Sequence, residues 1–217
     1  MSAQFGTQTP QVEGSGYNVL AFVIQQLLTK VNTCAVVKVV ACTNDGGVSP
    51  VGTVDVQPMV NQMTGARIAV PHGTIYKLPY SRLQGGTNAV IMDPKPGDIG
   101  VVVFSQRDIS TVKTSKKQAN PGSFRTYNWA DGLYIGAILN GTPEQYVLFD
   151  DEGIKVISPN KVTIQAPLVD VEASTSATVN SPAVTIEGGG TKIDGSLYLP
   201  HTHLSAPPGD PTGPVIV

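Results

Sequence analysis

The sequence predicts a mainly β protein built from two unlike parts, and three observations carry that expectation. Short apolar runs separated by Gly, Pro, Asn and Asp clusters occupy residues 32–143. Apolar pairs at i, i+2 then recur every seven or eight residues through most of 144–199. Two of the chain's three histidines, His201 and His203, follow that repeat directly. The first pattern reads as a small barrel or sandwich. The second reads as a three-chain β-helix, and the third as a metal-bearing tip over residues 200–217.

Composition sets the bounds. A chain of 217 residues is long enough for one or two domains with a real core. The formal charge of −2 gives no argument for a polyanion partner. Its distribution is uneven: 11 Lys and Arg against 7 Asp and Glu in residues 1–143, but 3 against 9 in 144–217. Beyond Phe149 the only aromatic residue is Tyr198, so the second part lacks the large side chains of a wide globular core.

Residues 1–31 read as an arm and a helix. MSAQFGTQTPQVEGSG has no basic segment leading into an apolar one, so it does not resemble a secretion signal. The apolar stretch YNVLAFVIQQLLTKV is too short and too polar to span a bilayer, and a protein soluble when made is expected. Val19, Leu20, Val23, Leu27 and Val31 recur at helical spacing, predicting a helix over 17–30. Phe22, Ile24 and Leu28 widen the stripe, so this helix is expected to be covered on more than one side.

From Asn32 the period becomes that of strands. TCAVVKVVACT, VGTVDVQPMV, ARIAV with TIYKLPY, NAVIM, DIGVVVFS and LYIGAIL are the expected strands of the 32–143 domain. Cys34 and Cys42 fall in one of these runs, roughly 26 Å apart if extended, which is beyond disulfide reach. Two buried free thiols and a reducing compartment are expected. Residues 105–132 form a long polar excursion whose Lys113, Lys116 and Lys117 read as a solvated face. His72, in VPHGT, reads as a turn or surface residue.

The second part repeats. Ile154/Val156, Val162/Ile164, Val169/Val171, Ala177/Val179 and Val184/Ile186 are the apolar pairs, with turn-like SPN, APL, STS and SPA between them. A single-chain β-helix needs about twenty residues or more per turn. Seven or eight supply one short strand and one corner, so three chains would each contribute one face of a triangular shaft. Alone, such a segment buries too little to offset its conformational entropy.

Three chains also resolve the histidines. In LYLPHTHLSAPPG, His201 and His203 share one side of an extended backbone. Two imidazoles are a poor metal site, but three pairs around a threefold axis supply six nitrogens. That set suits an octahedral transition metal, with iron first and nickel or cobalt acceptable, better than tetrahedral zinc. Six protein ligands leave no open position, so the role is structural.

These features together resemble the central spike, or membrane-puncturing, proteins of contractile phage tails and related injection machines. The likeness rests on VDVQPMV (54–60) and PKPGDIGVVVFSQRDI (94–109) in the first part, and on the repeat and terminal His-Thr-His in the second. The resemblance implies an N-terminal OB-fold barrel over 32–143, an intertwined trimeric β-helix over 144–199, and a pointed apex. It implies one iron ion (Fe²⁺) per trimer, octahedrally held by His201 and His203 of three chains. The implied partners are two further copies, the tail hub and baseplate proteins above the OB domains, and the pierced host outer membrane, with no nucleic acid. The implied location is the virion, at the tip of the tail tube.

That family works mechanically and not as an enzyme. Two other readings stay open: a trimeric receptor-binding tail fibre and a tail-associated cell-wall hydrolase. No Cys–His pairing or convincing carboxylate pair supports the hydrolase. The segment after the histidines, LSAPPGDPTGPVIV, either folds back over the apex or meets a neighbouring tip protein.

Overall fold

The computed structural model describes residues 15–187, together with the backbone of four two-residue strands at 192–193, 196–197, 203–204 and 211–212. The fold is mainly β. In chain order, helix α1 (Gly16–Leu28) precedes β1 (Cys34–Cys42), β2 (Thr53–Pro58), β3 (Gln62–Met63), β4 (Ala69–Val70) and β5 (Ile75–Pro79). Then come β6 (Leu83–Gly85), β7 (Asn88–Val90), β8 (Ile99–Phe104), helix α2 (Ser110–Ser115) and β9 (Gly132–Ala137). The hairpin β10 (Tyr146–Asp150) and β11 (Gly153–Ile157) follows, and then the short strands β12 (Lys192–Ile193), β13 (Ser196–Leu197), β14 (His203–Leu204) and β15 (Pro211–Thr212). The chain divides into two compact units, one reaching Ile157 and one starting at Ser158.

Strand alternation builds the core of the first unit. Every second residue of the long strands points inward: Val37 and Val39, Val54 and Val56, Leu78, Val102 and Tyr134 are all buried. The strands form one antiparallel sheet in the order β5-β2-β1-β8-β9. Irregularities between Val39 and Ala41, Val54 and Val56, and Gly100 and Val101 bend the ladder. The sheet therefore curls into a half-barrel. Its two edges meet at one parallel bridge, Tyr80 to Tyr134, where Ser81 N–H donates to the Tyr134 carbonyl at 2.8 Å.

Glycine makes room for the large ring in this narrow core. A Cβ at Gly100 would lie 2.5 Å from the Tyr134 ring, and one at Gly132 would lie 2.5 Å from Val102 Cγ1. The inward positions of β8 and β9 are thus filled by a neighbour's side chain instead of their own.

Several expectations change at this level. NAVIM contributes β7, but β7 pairs only with β6 in a separate hairpin and adds no strand to the half-barrel. The thiols are not buried: Cys34 is exposed and Cys42 half-buried, because both sit at the ends of β1 where the sheet runs out. Helix α1 has Ser15 as its N-cap, accepting from Asn18 N–H at 3.2 Å, yet none of its residues is buried. Among the described residues nothing covers it on several sides; only Ala21, Phe22 and Gln26 are half-buried.

The expected shaft also looks different in one chain. Hairpin β10–β11 is exposed throughout, with Val147 opposite Val156 and Phe149 opposite Ile154. Residues 158–187 contain no strand, and all but Ser158 are exposed. No β-helix is formed by this segment on its own.

Candidate functional site

The residues expected to hold a metal lie at the margin of what the structure describes. His201 is outside the described residues. His203 belongs to β14, which pairs antiparallel with β15, placing His203 opposite Thr212 and Leu204 opposite Pro211. Among the described residues, no group of three or more His, Cys, Asp and Glu side chains could hold a metal ion.

Within the half-barrel the polar side chains gather in two clusters. The first fastens the long excursion between β8 and β9. Asp131 is fully buried on a short helical turn, Trp129–Asp131, whose N-cap Asn128 accepts from Ala130 N–H. Its carboxylate accepts from Arg125 Nε at 2.7 Å, from an Arg125 terminal nitrogen at 2.8 Å, and from Ile109 N–H at 3.0 Å. Arg125 also donates to Asp108 at 2.8 Å, and Asp108 accepts from Ser123 Oγ at 2.7 Å and Ser110 N–H at 2.8 Å.

This arrangement sets the charges. Burial works against ionising Asp131, but Arg125 and the Ile109 N–H outweigh it and keep the carboxyl below its usual range. Hydrogen bonds from Ser110 and Ser123, with Arg125 nearby, bring Asp108 to about 2. Every oxygen of both carboxylates is engaged, so the cluster acts as a staple. Lys113 joins it, donating to the Ala130 carbonyl at 3.0 Å, while Lys116 and Lys117 remain exposed. The solvated-face expectation therefore holds for two of the three lysines and not for Lys113.

The second cluster lies at the other end of the strands. Tyr80 Oη and Arg82 each donate to one oxygen of Asp93 at 2.6 Å, and Gly46 N–H donates to the other at 3.1 Å. Arg82 also donates to the Ser49 carbonyl at 2.6 Å, tying the 44–50 loop to the segment after β7. The Tyr80 hydrogen bond, with Arg82, holds Asp93 below its usual range. Burial, with Asp93, pushes Tyr80 up. Beside this cluster is an open concavity of 640 Å³, lined by apolar residues such as Cys42, Ile91 and Met92 and by polar ones, Asn44, Asp45 and Lys95 among them. Asp93 borders it, but its oxygens are already committed.

His72 is half-buried and part of a third contact. Its ring meets Trp129 at 5.0 Å between centroids, and Trp129 meets Phe104 edge-on at 4.9 Å. Gln57 Nε2 donates to the His72 carbonyl at 3.1 Å. Sequence reading missed Arg125, Asp131, Arg82 and Asp93 as partners. Nothing periodic marks such pairs, and the other charges of these segments, Lys113, Lys116 and Lys117 among them, hide which acid meets which base.

No described helix is long and apolar enough to cross a membrane. Neither the protein-family models nor the curated proteins contain a match to the chain.

Proposed function

We propose that the chain is the central spike of a contractile tail, working as a homotrimer that pierces the host outer membrane when the tail contracts. The curled sheet would be an OB-type barrel. Its support is the order β5-β2-β1-β8-β9 with a parallel Tyr80–Tyr134 bridge between the edge strands, the closure expected of a five-stranded Greek-key barrel. In this reading the barrel joins the tail hub, and the segment from 144 to 199 winds with two copies into a narrow shaft.

One observation carries the reading. Val162, Ile164, Val169, Val171, Val179, Val184 and Ile186 keep their seven-to-eight-residue rhythm, yet each is 52–79 % exposed in a segment with no strand. A periodic apolar pattern with nothing among the described residues to bury it points to burial by identical neighbours. Small residues between the pairs keep the shaft thin, and ladder hydrogen bonds among three chains would share the axial load.

The apex follows from the donor set. One chain supplies two imidazoles, and three supply an octahedral six through His201 and His203. A bound metal would tie the chains where the shaft runs out of length, with Fe²⁺ the metal proposed. The test combines light scattering with elemental analysis of the purified protein. Three chains with about one metal per three support the reading. A monomer, or a trimer without metal or with one metal per chain, refutes it in whole or at the apex.

A further inference from the structure

Helix α1 carries a second self-recognition surface that the shaft does not use. Tyr17, Leu20, Ile24 and Leu27 follow one another at intervals of three, four and three, the spacing of a coiled-coil seam. All four are exposed; Leu20 and Leu27 are 59 % and 58 % exposed. Half-buried Phe22 and Gln26 lie on the far side of the helix from this stripe; exposed Val23 and Leu28 and half-buried Ala21 border it, and Asn18 and Gln25 lie beyond Ala21. From Gly16 to Thr29 the helix has no charged side chain. A helix this short with no buried residue has little stability of its own, so something must cover it.

We propose that the α1 helices of three copies pack seam to seam in a parallel three-helix cluster at the head of the trimer. This rests on the three-chain reading above. Two arguments select copies of the chain over another protein. Without charge, the helix gains nothing from an oppositely charged partner, while copies do not repel one another. The surface is also small. At about 20 Å long and about 10 Å across, one face offers a few hundred Å², short of the about 800 Å² each partner gives a stable interface. It can hold only helices already kept together by other contacts, as copies joined through a shaft are. Ile alternating with Leu favours pairs in a free zipper; here the number is set by the shaft.

The test is disulfide trapping in the full chain with Cys34→Ser and Cys42→Ser. Ile24→Cys places thiols on the seam, and Gln25→Cys places them off it. After mild oxidation, Ile24→Cys should give roughly tenfold more linked pairs than Gln25→Cys, since only thiols within disulfide reach join. Two of the three chains should link, with the third left reduced. Light scattering on the same samples separates the two proposals. A trimer whose Ile24→Cys links no better than Gln25→Cys overturns the helix cluster and leaves the shaft standing. A monomer overturns both.

Discussion

Replacing Ile164 by Ala tests the shaft at one side chain. Ile164 is 76 % exposed in the single chain, so an axial position would take about three quarters of it out of water. Full burial of an Ile is worth about 1.5–3 kcal/mol, and large-to-small changes in packed cores cost about 2–5 kcal/mol. With partial burial, about 2 kcal/mol per chain is expected, or about 6 kcal/mol per trimer. That is about four decades in the trimer dissociation constant. For a chain of this size the melting temperature should fall by about 4–8 °C. Thr163 is the control: between Val162 and Ile164, it faces the opposite way in any strand. Thr163→Ala should stay within about 0.5 kcal/mol. Thermal unfolding and non-denaturing gels read both variants. Equal losses at 163 and 164, or an Ile164→Ala trimer as stable as the parent, would refute the inward-facing assignment.

The apex and the loop staple give further expectations. His201→Ala combined with His203→Ala should abolish bound metal by elemental analysis while circular dichroism of the half-barrel is retained; metal surviving the double change would exclude these ligands. Ligating imidazoles must be neutral, so metal in the parent protein should also be released as pH falls below about 6. Asp108, held at about 2, is a carboxyl depressed by folding. Its contribution is therefore complete above about pH 4 and is lost as pH falls from about 4 to about 2. Amide exchange in residues 105–131 should accelerate across that window, and Asp108→Asn should remove most of this pH dependence. An unchanged profile would show that Asp108 does not tie the loop.

Some parts of the fold could be read from local pattern alone. Val37/Val39, Val54/Val56 and the β8 run announce their strands because burial on one side of a sheet forces a period of two. The helical spacing of residues 17–30 likewise marks α1. Partnerships far apart in sequence had no such trace. Arg125 with Asp108 and Asp131, Arg82 with Asp93, and His72 with Trp129 depend on where loops return after crossing the sheet. The excursion after β8 looked unanchored for that reason, and Lys113 looked solvated. Cys34 and Cys42 were misjudged because residue type reports average burial, while exposure here depends on where β1 ends.

By itself the sequence determined what short-range periodicity encodes: a mainly β chain, the five strands of the half-barrel, the apolar repeat, and the pair His201 and His203. The three-chain proposal starts from that repeat and that pair. Only the tertiary structure decided that the long strands curl into a half-barrel joined at Tyr80 and Tyr134, and that β6 and β7 stand apart from it. Only there does α1 emerge with its seam uncovered. The physical reason is common to all three. Periodicity says that a face must be buried, whereas packing in space decides whether the chain covers that face itself.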